Sequence, residues 1–523
     1  MQRVQDIVRA FDNPSNRLDA VKSLWHFRLN ALTVKTPDAG LNRMLNTWLP
    51  YQTTASRLWA RAGFYQAGGA IGFRDQLQDM LVLLYTRPDE VRAHILEAAS
   101  HQFVEGDVMH WWHPPAMGVR TRLSDDKLFL PYMTAMYIES TEDASILRAA
   151  RPFLAGKPLP EGAEDQYGEA PPTSQTATLM EHCLRALDSV KLGVHGIPLI
   201  GHGDWNDALN RVGENGKGES VWLGFFYVEC LRKFGVLCDE QTRGRLHDNA
   251  DGILKAIERH AWDGSWYRRA WFDDGMAIGS RESPECEIDA IAQSWAVIAG
   301  ADRARAEQAV DSAIERLYDD ETGVLRLLDP PFNGACSPGY IRGYLPGVRE
   351  NGGQYTHGAS WIALALATLG RREQAWRIYR RLLPDTHSRF MEEAANYRVE
   401  PYVVAADVYS NPQQMGRGGW TWYTGAAAWL YNIGIRHLLG FEKRGLKIRL
   451  NASAQDAFGG GAPAAWDRYE MVFRWGASAY HLQARRDVRG AMLDGVRIPE
   501  IKNGWVDLRD DGRDHLAVYP MLD

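Results

Sequence analysis

The sequence predicts a mainly α protein, an (α/α)6 toroid followed by a small C-terminal β-sandwich-like domain. Three observations carry this. Apolar residues recur at helical spacings in successive segments from residue 3 to about 439. Polar, Gly- and Trp-rich stretches separate those segments, where paired helices would turn. After about residue 440 the helical period gives way to short alternating runs. An irregular helical domain would show the same periodicity, so the pattern alone leaves that alternative open. The boundaries expected are linker helices over 1–35, the toroid over 36–440 and the β domain over 441–523.

Residues 3–32 read as helical, with Val4, Ile7, Val8 and Phe11, then Leu18, Val21, Leu24 and Leu29, at helix-like spacings. Thr36-Pro37-Asp38 reads as a helix start: a capping hydroxyl, proline at the first helical position, and an acid near the positive end of the dipole. The helix that follows carries Leu41, Met44, Leu45 and Trp48 on one face, and Pro50 is expected to kink or end it. Gly68-Gly69-Ala70-Ile71-Gly72-Phe73 is a loop leading into a helix from Arg74, and Thr86-Arg87-Pro88 starts another that runs to Phe103. Helical patterns recur near 126–140, 142–153, 174–191, 220–234, 242–262, 287–299, 302–318, 356–369, 371–383 and 424–439. The polar, Pro-rich stretch 155–173 reads as a surface excursion. Residues 266–278, with Asp273-Asp274-Gly275 at the centre, read as a β-hairpin. Strands are expected at 446–450, 469–475, 479–484, 491–498 and 515–519.

A chain of 523 residues accommodates one large domain and an accessory piece. The net charge of −7, with no basic tract, argues against nucleic-acid or anionic-membrane partners. Five cysteines without CxxC spacing argue against a disulfide framework or a structural zinc site. No apolar run approaches the ~20 residues that span a bilayer, and Met1-Gln2-Arg3-Val4-Gln5-Asp6 is charged where a signal peptide needs an apolar region. A cytoplasmic location is the expectation. Nineteen Trp and 21 Tyr suit either sugar stacking or a large helical core.

The densest polar stretch is Gly201-His202-Gly203-Asp204-Trp205-Asn206-Asp207-Ala208-Leu209-Asn210. It follows the apolar run Ile197-Pro198-Leu199-Ile200. Two carboxylates, an indole and two amides together suit a pocket that grips a sugar and delivers a proton. Glycosidic cleavage needs a proton on the leaving oxygen and a nucleophile at the anomeric carbon. Water attacking with inversion needs a second carboxylate as base. Phosphate, already an anion, needs none, only donors that hold it opposite the acid. Asp204 and Asp207 are both candidates at this point.

Other clusters are Arg74-Asp75-Gln76-Leu77-Gln78-Asp79, His110-Trp111-Trp112-His113-Pro114-Pro115, and Arg120-Thr121-Arg122-Leu123-Ser124-Asp125-Asp126. Arg349-Glu350 through His357, Glu400-Pro401-Tyr402, and Gly416 through Gly425 complete them. Each also has a plain reading. Arg74 and Asp79 pair along a helix, Asp125-Asp126 starts one, and His113 and His357 are hydrogen-bonded residues. No HxH or HxxxH pair supports a metal. The 416–425 segment lacks the Lys-Ser/Thr of a nucleotide loop. Its small residues still let backbone N–H groups approach an anion where a helix begins near 424.

These clusters resemble the family 94 glycoside phosphorylases, above all the phosphorylase-like C-terminal region of cyclic β-1,2-glucan synthases. The matching stretches run in order over roughly residues 30–440. They include Val34-Lys35-Thr36-Pro37-Asp38, Trp59-Ala60-Arg61, Gly72 to Asp79, Gln102 to Asp107, Trp111 to Pro115, Arg120 to Asp126, Gly203 to Asn210, Gly218 to Gly224, Arg349 to His357, Val399 to Tyr409 and Gly416 to Gly425.

The resemblance implies inverting phosphorolysis of a β-linked gluco-oligosaccharide to α-glucose 1-phosphate. Phosphate is then the co-substrate, with no metal and no other cofactor. It makes Asp207 the general acid and leaves Asp204 structural or in a supporting position. It puts Trp205, Arg74, Asp75, Asp125 and Asp126 at the sugar site, and His357, Thr424 and Gly425 around phosphate. Asp79, His113, Arg120, Glu350 and Tyr402, in the matching motifs, are expected to bind substrate with them. Small residues at Gly68 and Gly69 favour the β-1,2-glucan branch. The β-sandwich that usually opens family members is absent from this sequence, so dimerisation stays open. A place in, or beside, a larger glucan synthase is the partner the resemblance suggests. Two other functions remain open: a non-catalytic glucan-binding or chain-length module of such a synthase, and an inverting hydrolase on the same scaffold.

Overall fold

The computed structural model describes all residues except 1, 11–13, 65, 115–116, 161, 335, 452–460, 500–502 and 522–523; Phe11 and Pro115 lie outside them. The described chain is a mainly helical body with a strand-rich C-terminal region, as expected. Within the body, helices touch in a circuit. Phe73–Asp79 packs on Phe129–Thr141, which packs on Val221–Gly235, then Ala290–Ile298, Thr356–Thr368 and Ala426–Asn432, and the last returns to Phe73–Asp79. These helices are buried on nearly every face. Residues 356–367 are all buried, for example, which a helix surrounded by others requires. Their outer partners are amphipathic: Glu240–His260 buries only Leu246, Ala250, Ile253 and Ile257, one stripe at helical spacing.

The centre of the circuit is aromatic. Trp361, fully buried, has ring centroids 5.1 Å from Trp205, 5.2 Å from Trp295 and 5.6 Å from Trp429. Much of the tryptophan excess is therefore core.

Several local expectations are corrected. Pro50 neither ends nor breaks its helix: helical backbone runs from Ala39 to Ala60, through π-type turns at Met44–Trp48 and Thr53–Ala60. The Leu49 N–H reaches back five residues to the Met44 carbonyl, so the ladder has already been widened where proline withholds a donor. The cap of this segment is Asp38, accepting from the Leu41 N–H at 3.0 Å, and not Thr36. The 142–153 region holds only a short turn, Ala144–Arg148, before the strand Ala150–Leu154, which pairs with Pro172–Thr178. Residues 155–173 are not a plain excursion. They supply Asp165–Glu169, the outermost strand of a four-stranded sheet completed by Ile71–Gly72, Met109–His113 and Met117–Thr121. The 266–278 hairpin forms as expected, Ala270–Trp271 pairing with Ala277–Ile278.

The C-terminal region contains a six-stranded sheet. Its order is Leu32–Lys35, Arg468–Trp475, Ser478–Arg485, Asp514–Pro520, Met492–Leu493 and Val496–Arg497. A three-stranded sheet, Phe441–Arg444, Lys447–Leu450 and Val506–Asp507, accompanies it. Leu32–Lys35, read above among linker helices, is thus an edge strand. Gln2–Ala10 and Pro14–Leu29 are helical as expected, but their apolar residues face outward: Val4, Val8, Leu18 and Phe27 are all exposed. No helix among the described residues is long and apolar enough to cross a membrane.

Candidate active site

A cleft of about 500 Å³ opens where the inter-helix segments converge, with Arg74, Asp75, Trp205, Asp207, Glu350 and His357 among its lining. Asp207 opens a one-turn helix, Asp207–Leu209, whose cap is Asn206: the amide oxygen accepts from the Ala208 N–H at 3.2 Å. This short turn holds the Asp207 carboxylate at the cleft wall, where its side chain is 36% exposed.

Arg74 organises that wall. Its Nη1 donates to Asp125 Oδ1 at 2.7 Å and to the Asp204 carbonyl at 3.0 Å, and its Nη2 donates to Asp207. Burial works to lower the guanidinium, but Asp125, Asp207, Asp126 and Asp75 outweigh it and hold it well above its ordinary value. His110 lines the cleft and pairs through Nδ1 with Asp126 at 2.8 Å. Burial opposes its protonation, yet Asp126 raises it to about 9, so it presents a cation.

The two carboxylates of the central stretch are sharply different. Asp204 is fully buried, with its oxygens taken by Arg269 twice at 2.7 Å, by Ser220 at 2.6 Å and by the Asn206 N–H at 3.0 Å. Burial would raise it, but the Arg269 guanidinium and these donors hold it below the usual range. It is an anchor whose carboxylate does not reach the cleft.

A second group of donors gathers at His357, Thr424 and Gly425, all in the cleft lining. A methyl placed on Gly425 would sit 3.4 Å from His357 Nδ1 and 4.0 Å from Arg57 Nη2, so the three converge. Burial pushes the His357 imidazole down to about 3, with Arg57 and Arg74 adding to the effect and Asp75 opposing it. It is therefore neutral, and its buried Nε2 has no hydrogen-bond partner among the described residues. Arg57 is fixed by Asp79 at 2.9 Å, lies 3.2 Å from Asp75, and stacks over Tyr423 at 4.1 Å. A neutral imidazole, a guanidinium and a small-residue backbone thus converge on one part of the cleft.

Of the residues anticipated from sequence, Arg74, Asp75, His113, Trp205, Asp207, Glu350, His357, Thr424 and Gly425 line the cleft. His113 is held by the Gly68 carbonyl at 2.7 Å, and Glu350 pairs with Arg349 at 3.2 Å. Asp79, Asp125, Asp126 and Asp204 are buried behind it and position Arg57, Arg74, His110 and the 201–210 backbone. Two residues are elsewhere. Arg120 is buried against Asp107 at 2.6 Å and Glu105 at 3.1 Å, over the Phe103 ring at 3.8 Å, because Met117–Thr121 directs it away from the cleft. Tyr402 packs on Trp48, ring centroids 4.3 Å apart, beside a separate groove. Cleft residues not anticipated are Arg57, His110, Tyr340, Arg349, Tyr355, Trp420 and Tyr423. His110, Arg349, Tyr355, Trp420 and Tyr423 belong to clusters singled out above. Arg57 carried no signal beyond lying two residues before Trp59-Ala60-Arg61.

The fold is one known from other proteins. A family 78 rhamnosidase of Bacillus sp. GL1 superposes on 94% of this chain and 44% of its own, with a TM-score of 0.54 at 12% identity, a likeness of fold alone. The sequence is more specific. Residues 24–440 match the model of the glycosyl hydrolase 94 superfamily, catalytic domain, and the chain belongs to that family. Cyclic β-(1,2)-glucan synthase NdvB of Rhizobium meliloti (strain 1021) is 44% identical over 479 residues, 90% of this chain and 17% of that protein. Solabiose phosphorylase of Paenibacillus borealis is 30% identical over 468 residues, 88% of this chain and 56% of that protein. N,N'-diacetylchitobiose phosphorylase of Vibrio furnissii is 27% identical, covering 92% of this chain and 62% of its own. The chain thus spans less than two thirds of each of these relatives.

Proposed function

We propose that the protein is an inverting glycoside phosphorylase acting on β-linked gluco-oligosaccharides, with β-1,2-glucan the favoured class, and that its helical circuit is an (α/α)6 toroid. Phosphate held by His357, Thr424, Gly425 and Arg57 attacks the anomeric carbon as Asp207 gives its proton to the departing glycosidic oxygen. The C–O bond to the leaving sugar breaks, a C–O bond to phosphate forms with inversion, and the products are α-glucose 1-phosphate and a glucan shortened by one residue. Trp205 offers an aromatic face to the sugar, and Arg74 fixes the Asp207 carboxylate. The observation that carries this reading is the pairing, in one cleft, of the accessible Asp207 carboxylate with a donor-lined anion recess, while Asp204 is sealed against Arg269. A relative named as a cyclic β-(1,2)-glucan synthase and relatives named as phosphorylases support it.

The test is incubation with phosphate and a panel of β-1,2-, β-1,3- and β-1,4-gluco-oligosaccharides. Glucose 1-phosphate should appear from the β-1,2 series, and Asp207→Asn should lose nearly all turnover in both directions with an unchanged melting profile. Free glucose released without phosphate would identify a hydrolase instead. Binding with no turnover under any phosphate condition would identify a glucan-holding module.

A further inference from the structure

We propose that Tyr167, leaning on the cleft residue Trp111, forms a distal sugar subsite at the outer edge of the cleft, which selects gluco-oligosaccharides longer than the cleft itself holds. This rests on the reading of the cleft as a gluco-oligosaccharide site.

The register of the four-stranded sheet places one row of residues across it. Gly72 lies opposite Trp111, Trp111 opposite Val119, and Val119 opposite Tyr167. Residues directly opposite one another share a face of a sheet. Gly72 and Trp111 line the cleft. Tyr167 therefore continues the cleft surface outward, three strand spacings or about 14 Å from Gly72. The Trp111 and Tyr167 rings lean together to 5.8 Å between centroids, at 41°. They close over Val119, which is only 9% exposed, while Tyr167 itself is 57% exposed. The other face of the sheet is committed to the core: Trp112 is buried there and stacks on His101 at 3.8 Å.

The strand is held in place before any ligand arrives. Arg122 donates to the Ala163 carbonyl at 2.7 Å and the Pro160 carbonyl at 2.6 Å, and Asn210 donates to Glu164 at 2.9 Å. Asn210 belongs to the same segment as Asp207, so the outer strand is tied to the proposed acid. A fixed, exposed tyrosine that extends a cleft tryptophan offers the apolar face that a pyranose ring stacks on. Binding there needs no charge, which suits a neutral glucan chain, and it costs little ordering of the protein.

The experiment compares the wild type, Tyr167→Ala and Tyr167→Phe with β-1,2-linked disaccharide and pentasaccharide. Calorimetric titration without phosphate gives affinities, and phosphorolysis of the same sugars gives kcat/KM. The wild type should prefer the pentasaccharide. Tyr167→Ala should shrink that preference by about tenfold, and Tyr167→Phe, which keeps the ring, should retain it. An unchanged length preference in a normally folded Tyr167→Ala protein overturns the subsite, even where glucose 1-phosphate is still formed. A Tyr167-dependent length preference without glucose 1-phosphate from the wild type supports the subsite and removes the phosphorylase reading.

Discussion

At the scale of single residues, the site depends on which groups are charged and which are not. His357 is neutral because burial, more than its neighbours, holds it down to about 3. Between pH 6.5 and 3 the unfolded chain then binds a proton at this position that the folded chain does not. The His357 contribution to stability is complete above 6.5 and is lost as pH falls toward 3. In His357→Asn, the fall in urea midpoint across that window should be shallower than in the wild type, a difference read directly from paired denaturation curves. Gly425 is a sharper probe of the same recess. Its backbone, at φ −69°, accepts alanine without strain, but the added methyl would lie in contact with the His357 ring at 3.4 Å and occupy space between it and Arg57. Gly425→Ala should raise the KM for phosphate about tenfold, roughly 1.4 kcal/mol, and shift the KM for glucan far less; equal shifts in both would argue against a phosphate recess. The neighbouring carboxylates separate in the same manner. Asp204→Ala takes from the buried Arg269 the carboxylate that holds both its Nη atoms and leaves Asp289, farther off at 3.5 Å, so it should cost about 3 kcal/mol of stability, whereas Asp207→Asn should lose activity without that cost.

At the scale of elements, what the sequence revealed tracks how local the determinants are. Glu240–His260 was legible because its stripe of Leu246, Ala250, Ile253 and Ile257 is written at helical spacing. The 266–278 hairpin was legible because Asp273-Asp274-Gly275 encodes its own turn. Ala150–Leu154 was not, because its pairing partner, Pro172–Thr178, lies across a loop whose composition is merely polar, and Asp165–Glu169, inside that loop, was not, because its partner Met117–Thr121 lies far back in the chain. The same gap misplaced Arg120. A motif shows that Arg120 lies near Asp125 in the chain, but the strand decides which way its side chain leaves the sheet. Arg120→Ala should therefore act on folding. It removes the clasp on the half-exposed Asp107 and Glu105 and the contact over Phe103, at a cost of about 1–3 kcal/mol. Thermal melts should register that loss while disaccharide phosphorolysis, per folded molecule, persists. A catalytic defect without destabilisation would return Arg120 to the cleft.

At the scale of the whole molecule, Leu32–Lys35 ties the two ends of the chain together. The strand pairs along its full length with Arg468–Trp475, and Leu32 and Val34 are buried in the common core. Asn46, in the first helical segment of the body, binds both polar groups of the Val34 backbone, accepting from its N–H at 2.7 Å and donating to its carbonyl at 2.9 Å. Further along, Tyr469 donates to the Leu439 carbonyl at 2.8 Å and Trp376 to the Gly461 carbonyl at 2.7 Å. The β region is thus stitched to the helices, where a sequence boundary at 440 suggested an appendage. The helix Pro14–Leu29, by contrast, buries none of its side chains; Arg28 lies on Glu90 at 2.6 Å and over the Trp59 ring at 4.8 Å, and Trp25 packs against Tyr51 at 4.6 Å and Trp59 at 5.1 Å. Two shortened chains separate these roles. One beginning at Asn30 should melt within a few degrees of the full chain, having lost one partly exposed ion pair and the ring contacts of Trp25 and Arg28, about 2–3 kcal/mol together. One beginning at Asp38 also gives up the edge strand and two buried aliphatic side chains, so its urea midpoint should fall by the equivalent of about 4 kcal/mol or more. Equal losses from the two truncations would mean that the helices, and not the strand, hold the chain's beginning to its end.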